Sequence, residues 1–457
     1  MAVPPRSSSL MATIGYHNMD SYAQNAMALK FPESLEASIE EQNEKNCRWS
    51  RMKRRIGRSL ASRSNISVSS FKALSPISET DSAKHSIRVA YTSSAAPSAA
   101  WDNNKEYTQQ LSQAVSGLKN DFVSGAREMA DSALSTLSSL IVTAASTAEN
   151  KSELWQMAVS AAKELCAARP SMNAAITSCL LRALDEVLQL WDMLDEKRSK
   201  APEDLAAMAR RQLVRIIEKR KEAGIRLSEN FAERLRAYCR QRLNNTHNLT
   251  ILTLSNSSTI RHSIITTLST LRFLCLTLVI LESRPRFEGA SMASHILSSC
   301  SADARARLHI RILPDCAVAT AARDAQLVLL GADRISASGD VSNKIGSLAA
   351  AVCIKSLNAK AQVVAVSDAD KIVAKGVEEG QKEAHPDSEM MEAWGDETRR
   401  KLQGRIDNGS VEVFGEWFEW VPAEYVDGYV TEYGTLDAKG VESIAGEVGE
   451  LKEKIFG

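Results

Sequence analysis

Several polar and charged residues in the second half of the sequence follow short apolar segments, at the points where those segments end. They are Ser255, Asn256, Arg284, Arg286 and Asp333. Ligands of parallel α/β sheets bind beyond the carboxyl ends of the strands, so these positions are where binding or catalytic groups are expected. Arginine side chains in particular hold phosphate or carboxylate groups through paired hydrogen bonds.

A second pattern, NKIGS, occupies residues 343–347 and combines a lysine with small residues at a predicted helix start. Backbone N–H groups at a helix N-terminus, together with an ammonium group, suit a phosphate or carboxylate. We therefore predict that Asn343, Lys344 and Gly346 form an anion-binding turn. A glycine-containing turn before a helix is common, so a purely structural role for this turn stays open.

The elements that must position these residues form a regular series. Six apolar segments of strand length alternate with helix-length segments, which is typical of a parallel sheet. The segments are 249–254, 273–281, 309–313, 326–330, 362–366 and 428–432. Residues 246–457 are therefore predicted to form a Rossmann-like α/β domain with a sheet of about six parallel strands.

The preceding residues, 104–245, show helical periodicity, with Pro170 and Pro202 at helix boundaries. Helices are predicted over 107–148, 151–167 and 172–195, followed by a long amphipathic helix over 203–243. This domain is expected to be entirely helical. Gly224 is predicted to bend the last helix or to end its first half.

Residues 1–103 are serine-rich and contain nine basic and no acidic residues between Lys45 and Lys72. This composition predicts a disordered arm. A phosphate on Ser59 would meet the basic cluster before it, whereas the alternative is a solvated basic tail.

The overall composition argues against several classes of function. Lys plus Arg equals Asp plus Glu, at 56 each, so a nucleic-acid or membrane partner is not expected. The eight cysteines form no C-x-x-C pair and the histidines are scattered, so we expect reduced cysteines, no metal and no cofactor. The sequence contains neither a membrane-length apolar segment nor a secretion signal, and we expect a cytoplasmic protein.

The motifs at the strand ends together resemble one known family. The motifs are ESRPRFEG at 282–289, Asp315, GADR at 331–334, NKIG at 343–346, WVP at 420–422 and TEYG at 431–434. In this order they resemble the alpha, beta and delta subunits of translation initiation factor 2B, whose family also contains methylthioribose-1-phosphate and ribose-1,5-bisphosphate isomerases. The resemblance covers 249–434 and extends more weakly back to about 107. It implies a fold similar to that of the NagB/RpiA/CoA transferase group.

The resemblance also implies which residues would catalyse an isomerisation. The isomerases use an Asp, matched here by Asp333, and a Cys, whose position is held here by Ser255. A thiol, with a pKa of about 8.5, exchanges protons near neutral pH, whereas a serine hydroxyl needs a strong neighbouring base to do so. In addition, Ser124 stands where the isomerases carry an arginine that would hold a substrate phosphate.

These departures favour a non-catalytic regulatory subunit of the initiation-factor-2B type that binds a sugar phosphate or a nucleotide. Two alternatives remain: an aldose–ketose isomerase with Asp333 as the acid or base, and a metabolite-responsive scaffold outside translation. The resemblance implies protein partners, as a homodimer or within a larger complex. A charged segment over 376–411 is predicted to be a surface insertion with a helix near 389–402.

The candidate residues also have structural alternatives. Asp333 is equally suited to capping the turn that follows it or to pairing with Arg334. For Arg284 and Arg286, the alternative to ligand binding is pairing with Glu282, with Glu288 or with a partner subunit.

Overall fold

The computed structural model describes residues 99–195, 201–242, 247–377 and 383–457. The predicted arm, with Ser59, lies outside the described residues except at its last positions, which belong to the first helix. Among the described residues, no helix is both long and apolar enough to cross a membrane.

Among the described residues, five long helices precede the sheet. They are α1 (Ala99–Lys119), α2 (Ala126–Ala145), α3 (Lys151–Ala167), α4 (Asn173–Asp195) and α5 (Pro202–Arg242). The prediction of a single helix over 107–148 is wrong, because a turn separates α1 from α2. Asp121 accepts hydrogen bonds from the backbone N–H groups of Val123 and Ser124, and these bonds favour a turn over a continued helix.

Apolar side chains on the inner faces of these helices form the core of the helical domain. Trp191 is fully buried, and its indole N–H donates to the carbonyl of Leu205, 3.1 Å away. Trp155 packs edge-on against the Trp191 ring. A buried aromatic ring with its polar atom satisfied gives the core a large apolar contact area without an unpaired donor.

Within residues 247–377 and 383–457, the second half of the chain forms a seven-stranded sheet. All six predicted strands are present, as β1 (Asn248–Thr253), β2 (Cys275–Leu281), β3 (Leu308–Leu313), β4 (Leu327–Leu330), β7 (Gln362–Val366) and β9 (Gly428–Thr431). These six run parallel, and β10 (Gly434–Leu436) pairs antiparallel with β9. The order of the strands across the sheet is β10-β9-β7-β4-β1-β2-β3. The predicted α/β fold is confirmed.

Further helices connect the strands. They are α6 (Ser258–Thr270), α7 (Glu288–Ser299), α8 (Ala302–Ala306), α9 (Val318–Asp324), α10 (Ser347–Leu357), α11 (Asp387–Met390), α12 (Asp396–Asp407) and α13 (Ala438–Phe456). Short 3₁₀ turns cover Pro170–Met172, Asp315–Ala317, Ala369–Lys371 and Ala423–Tyr425. Helix α5 packs against both α2 and α6 and thus joins the helical domain to the α/β domain.

A small antiparallel sheet was not predicted. It consists of β5 (Arg334–Ile335), β6 (Val341–Lys344) and β8 (Phe418–Val421), with β6 in the centre. Asn343 and Lys344 therefore lie on a strand rather than in the predicted turn. The pairing of β6 with β8 joins segments far apart in sequence, so local periodicity does not indicate it.

Gly224 does not end a helix, because α5 is continuous from Pro202 to Arg242. A Cβ atom at this position would overlap Nη1 of Arg127, whose guanidinium pairs with Asp368. The glycine therefore allows α2 and α5 to approach closely around the arginine.

We expect Gly224→Ala to lower the free energy of unfolding by about 1–3 kcal/mol, because the Arg127 guanidinium must move and weaken its bonds to Asp368. Gly117→Ala on α1 is the matched control, since a Cβ there meets nothing within 4 Å. It should raise stability by about 0.5–1 kcal/mol through helix propensity. Urea denaturation measures both, and equal gains would contradict the role assigned to Gly224.

Candidate functional site

A cavity of about 390 Å³ lies at the carboxyl edge of the sheet, under the N-terminus of α2. This volume falls in the range of small-molecule sites, roughly 300–1,000 Å³. The structure brings five of the predicted site residues together around it. They are Ser255, Asn256, Asp333, Asn343 and Lys344. Arg284, Arg286 and Gly346 are not among the lining residues.

Ser255 follows β1 in a left-handed backbone conformation, with φ of 67°. Its N–H donates to Oγ of Ser283, 2.7 Å away, and the N–H of Ser283 donates to Asp315 at 2.8 Å. Non-glycine residues rarely adopt this conformation unless the surrounding contacts hold them there. The loops after β1 and β2 thus fix the direction of the Ser255 side chain.

Glu288, at the start of α7, connects two of the predicted site residues. One carboxylate oxygen accepts from Oγ of Ser255 and the other from Nζ of Lys344, each at 3.2 Å. The Lys344 ammonium also lies 4.3 Å from the ring centre of Trp417. The positive charge of Lys344 is therefore already balanced within the protein.

Asp333 is half-buried at the end of β4, where its carboxylate lines the cavity. Burial raises the pKa of this carboxyl group, and the nearby ammonium groups of Lys371 and Lys344 offset the effect only in part. A carboxyl group with a raised pKa is suited to donate as well as accept a proton.

Lys371 was not predicted as a site residue. It ends the 3₁₀ turn after β7, and its Nζ donates to the carbonyl of Ala332, 2.6 Å away. The sequence could have indicated Lys371 as a site residue, because β7 was a predicted strand and Lys371 follows it at the same edge of the sheet.

A carboxylate of the protein itself binds the predicted anion-binding turn at 343–347. The N–H groups of Gly346 and Leu348, at the start of α10, both donate to Oε1 of Glu419, at 2.6 and 2.9 Å. The side chain of Asn343 donates to Ser347 at 2.9 Å. A carboxylate of β8 therefore satisfies this helix N-terminus, and the sequence could not reveal it because β8 was not predicted.

Two other helix N-termini line the cavity instead. Helix α6 begins beside Asn256 with Ser257 as its N-cap, and α2 begins with Gly125, which makes no side-chain cap bond. Arg261 on α6 donates to Oδ1 of Asn256, 2.8 Å away. The N-termini of these two helices and the guanidinium favour an anion on this side of the cavity.

Glu128 in the first turn of α2 brings a negative charge to the same region. Its carboxylate accepts a hydrogen bond from Oγ of Ser258, 3.3 Å away. The contact spans the cavity mouth between α2 and α6. An anionic ligand there would compete with this carboxylate.

Residues of the predicted surface insertion pack behind side chains that line the cavity. The buried guanidinium of Arg169 pairs with both carboxylate oxygens of Glu383, at 3.1 and 2.8 Å. His385 stacks on Trp417 with ring centres 4.1 Å apart. The expectation of a purely surface segment is therefore wrong for these residues, because they pack against the site.

Arg286 also meets this segment. Its guanidinium pairs with Glu389 and lies 4.3 Å from the ring centre of Trp417. Neither Glu282 nor Glu288 is its partner. Arg284 is exposed, and its guanidinium lies 5.8 Å from the ring centre of Phe287. The helix predicted at 389–402 is replaced by α11 and α12, with Gly395 as the N-cap of α12.

A family model, described as the initiation factor 2 subunit family, matches residues 122–438. These residues include both helical and α/β elements around the cavity. The chain belongs to the initiation factor 2 subunit family.

Relatives of this family member include enzymes. It is 32% identical to the methylthioribose-1-phosphate isomerase of Methylococcus capsulatus over 170 residues, which is 36% of this chain and 43% of the relative. It is 30% identical to the same enzyme of Thermoanaerobacter sp. over 167 residues, 36% of this chain and 44% of the relative. The chain thus spans less than half of the length of these relatives.

Solved structures include both branches of the initiation factor 2 subunit family. The tetrameric eIF2B-beta2-delta2 complex of C. thermophilum has a chain with 16% identity and a TM-score of 0.54, covering 77% of this chain and all of that one. The 5-methylthioribose 1-phosphate isomerase of Pyrococcus horikoshii has 20% identity and a TM-score of 0.49, covering 75% and 88%. The likeness to the C. thermophilum chain shows a shared fold.

We expect Glu383→Gln to lower the free energy of unfolding at pH 7 by about 2–4 kcal/mol, because it leaves the buried Arg169 without a counter-charge. The side chain of Arg169 is only 5% exposed. Urea denaturation measures the loss. Glu412→Gln, at an exposed position, is the control and should leave stability nearly unchanged.

The same pair sets a pH dependence. Burial raises the pKa of Glu383, but hydrogen bonds from Arg169 and Ser171 outweigh it and hold the pKa below its usual value. A pKa that is lower in the folded than in the unfolded state stabilises the fold at pH values above the unfolded pKa of about 4.5. This contribution is lost as the pH falls through the folded pKa. The difference between the wild type and Glu383→Gln should therefore shrink from pH 5 to pH 3. A constant difference would show that the ionic pair is not its cause.

Proposed function

We propose that this protein is a non-catalytic regulatory subunit of the initiation-factor-2B type, whose cavity binds a small phosphorylated molecule, a sugar phosphate or a nucleotide. The observation that carries the proposal is the combination of an anion-binding wall with Ser255 at the position where the isomerases use a cysteine. The wall consists of the N-termini of α2 and α6 with Arg261 and Lys371.

The charges of the cavity walls support the binding of a phosphate. Arg127, Arg169 and Lys344 each have a carboxylate partner within the protein. Arg261 and Lys371 instead donate to neutral oxygens, those of Asn256 and Ala332. A ligand phosphate gains most from cations whose charge is not already neutralised.

The chemistry of Ser255 supports a binding role. Its hydroxyl donates to Glu288, and a carboxylate is far too weak a base to remove the proton of a serine hydroxyl. Ser255 therefore cannot exchange a proton in the way a cysteine can. Of the Asp and Cys that transfer protons in the isomerases, only the Asp is matched here, by Asp333.

A matched pair of variants tests the ligand site. Arg261→Gln should weaken the binding of methylthioribose 1-phosphate or adenosine monophosphate by about tenfold or more, since one charge-assisted hydrogen bond is lost. Arg272→Gln, at an exposed position beyond the other end of α6, should leave affinity unchanged. Isothermal titration calorimetry measures both. Failure of the wild type to bind either ligand would overturn the proposed site.

A second candidate function is aldose–ketose isomerisation of a phosphorylated pentose. It is favoured by the carboxylate of Glu288, which lines the same cavity as Asp333 and lies 3.2 Å from Ser255. Glu288 would then replace the cysteine as the proton-transferring partner of Asp333. Turnover of methylthioribose 1-phosphate that is lost in both Asp333→Asn and Glu288→Gln would establish this function and contradict the non-catalytic proposal.

The assembly part of the proposal rests on the edge of the sheet. Strand β3 is at one edge, and Ile312 on it is 49% exposed. An edge strand has a row of backbone N–H and C=O groups without partners in its sheet, which makes it a ready surface for pairing with another chain. Affinity purification of the tagged protein should recover subunits of initiation factor 2 or 2B, and Ile312→Glu should reduce the recovery. Recovery of neither from the wild type would remove the translation role.

A further inference from the structure

A cluster of buried and half-buried charges lies beside the site, where the helical domain meets the ends of β7 and β9. Asp368 and Asp370 follow β7, and Glu432 follows β9. Arginines from three helices face them: Arg127 on α2, Arg182 on α4 and Arg220 on α5. A second cavity of about 180 Å³ lies among these side chains.

Ion pairs hold the cluster together. Arg127 binds both carboxylate oxygens of Asp368, with its Nε 3.1 Å from Oδ2. Arg220 pairs with Asp370 and also with Asp131, at 2.6 Å. Each of these pairs joins a helix of the helical domain to the edge of the sheet or to a neighbouring helix.

Glu432 is the third carboxylate of the cluster. One of its oxygens accepts from the N–H of Ala369, 3.0 Å away. Burial raises the pKa of Glu432 to about 7, and the negative charges of Asp368 and Asp370 contribute to the rise. The carboxyl group therefore changes its charge near neutral pH, in response to the charges around it.

Arg127 connects this cluster to the ligand site, because its side chain lines both cavities. Gly224 provides the space in which the guanidinium lies. Any movement of Arg127 toward an anion in the larger cavity would move positive charge away from Asp368 and its neighbours.

We propose that anion binding in the site cavity and proton binding at Glu432 are linked through Arg127. The linkage rests on the proposed function of the cavity as an anion site. An anion in the cavity attracts the Arg127 guanidinium and weakens its pairing with Asp368, the three carboxylates lose part of their counter-charge, and Glu432 takes up a proton. By reciprocity, a protonated Glu432 strengthens anion binding.

The charged and titratable groups around Glu432 come from every element packed against it. They are Arg127 and Asp131 on α2, Cys179, Arg182 and Glu186 on α4, Lys219, Arg220 and Arg226 on α5, Asp368 and Asp370 after β7, Tyr433 after β9 and Glu447 on α13. Burial raises the pKa of Cys179 well above its usual value. Burial also raises the pKa of Tyr433. Neither group therefore changes charge near neutral pH, which leaves Glu432 as the titrating group of the cluster in that range.

The uptake of a proton on anion binding sets the sign of the pH dependence. Proton uptake on binding means that the affinity for an anion is higher at pH 7 than at pH 9. Sulfate is the suitable probe, because its own charge does not change across this range. Calorimetric titration with sulfate at pH 7 in two buffers of different ionisation enthalpy measures the number of protons taken up.

For the wild type we expect uptake of a fraction of one proton and an affinity for sulfate about threefold or more lower at pH 9. Glu432→Gln, whose amide oxygen can still accept from Ala369, should bind sulfate with no uptake and a flatter pH profile. Glu442→Gln, at an exposed position on α13, should behave as the wild type. Gly224→Ala, which displaces Arg127 without changing any charge, should reduce the uptake.

Two results would overturn the linkage. Equal proton uptake by the wild type and Glu432→Gln would assign the uptake to a group other than Glu432. Unchanged uptake in Gly224→Ala would show that Arg127 does not transmit it. In either case sulfate binding itself would leave the proposed ligand site standing. Absence of sulfate binding by the wild type and all variants would instead overturn the ligand site and the linkage together.

Discussion

The buried ion pair between Arg127 and Asp368 fixes how the helical domain meets the sheet. The two residues are 241 positions apart in sequence, one at the start of α2 and the other just after β7. Leaving either charge buried without the other would cost several kcal/mol, on the order of 3–5. The pair therefore places the N-terminus of α2 over the carboxyl edge of the sheet, and the cavity between them depends on that placement.

Carboxylates of the protein itself satisfy most of the groups that could hold an anion. Glu288 pairs with Lys344, Glu383 pairs with Arg169, and Glu419 accepts hydrogen bonds from the N-terminus of α10. Such internal pairs orient the cavity walls, because each charge is held by at least one hydrogen bond of fixed direction.

The aromatic residues of the site work together with these pairs. Trp417 contacts Lys344 on one side and stacks with His385 and Arg286, so one ring organises residues from three distant segments. Cations over an aromatic face gain attraction without needing another carboxylate. Glu383 and His385 consequently support residues that line the cavity, although the charge pattern of their segment had suggested a solvated surface.

The sequence by itself determined the six parallel strands, the helical domain before them and the strand-end positions of Ser255, Asn256 and Asp333. Those features follow from local periodicity and from the rule that ligands meet the carboxyl ends of strands. Only the tertiary structure decided that Asn343 and Lys344 lie on β6, that Glu419 binds the predicted anion turn, and that Arg261 faces the cavity. These depend on contacts between residues far apart in sequence, such as β6 with β8, and a single sequence carries no local signal for such pairings.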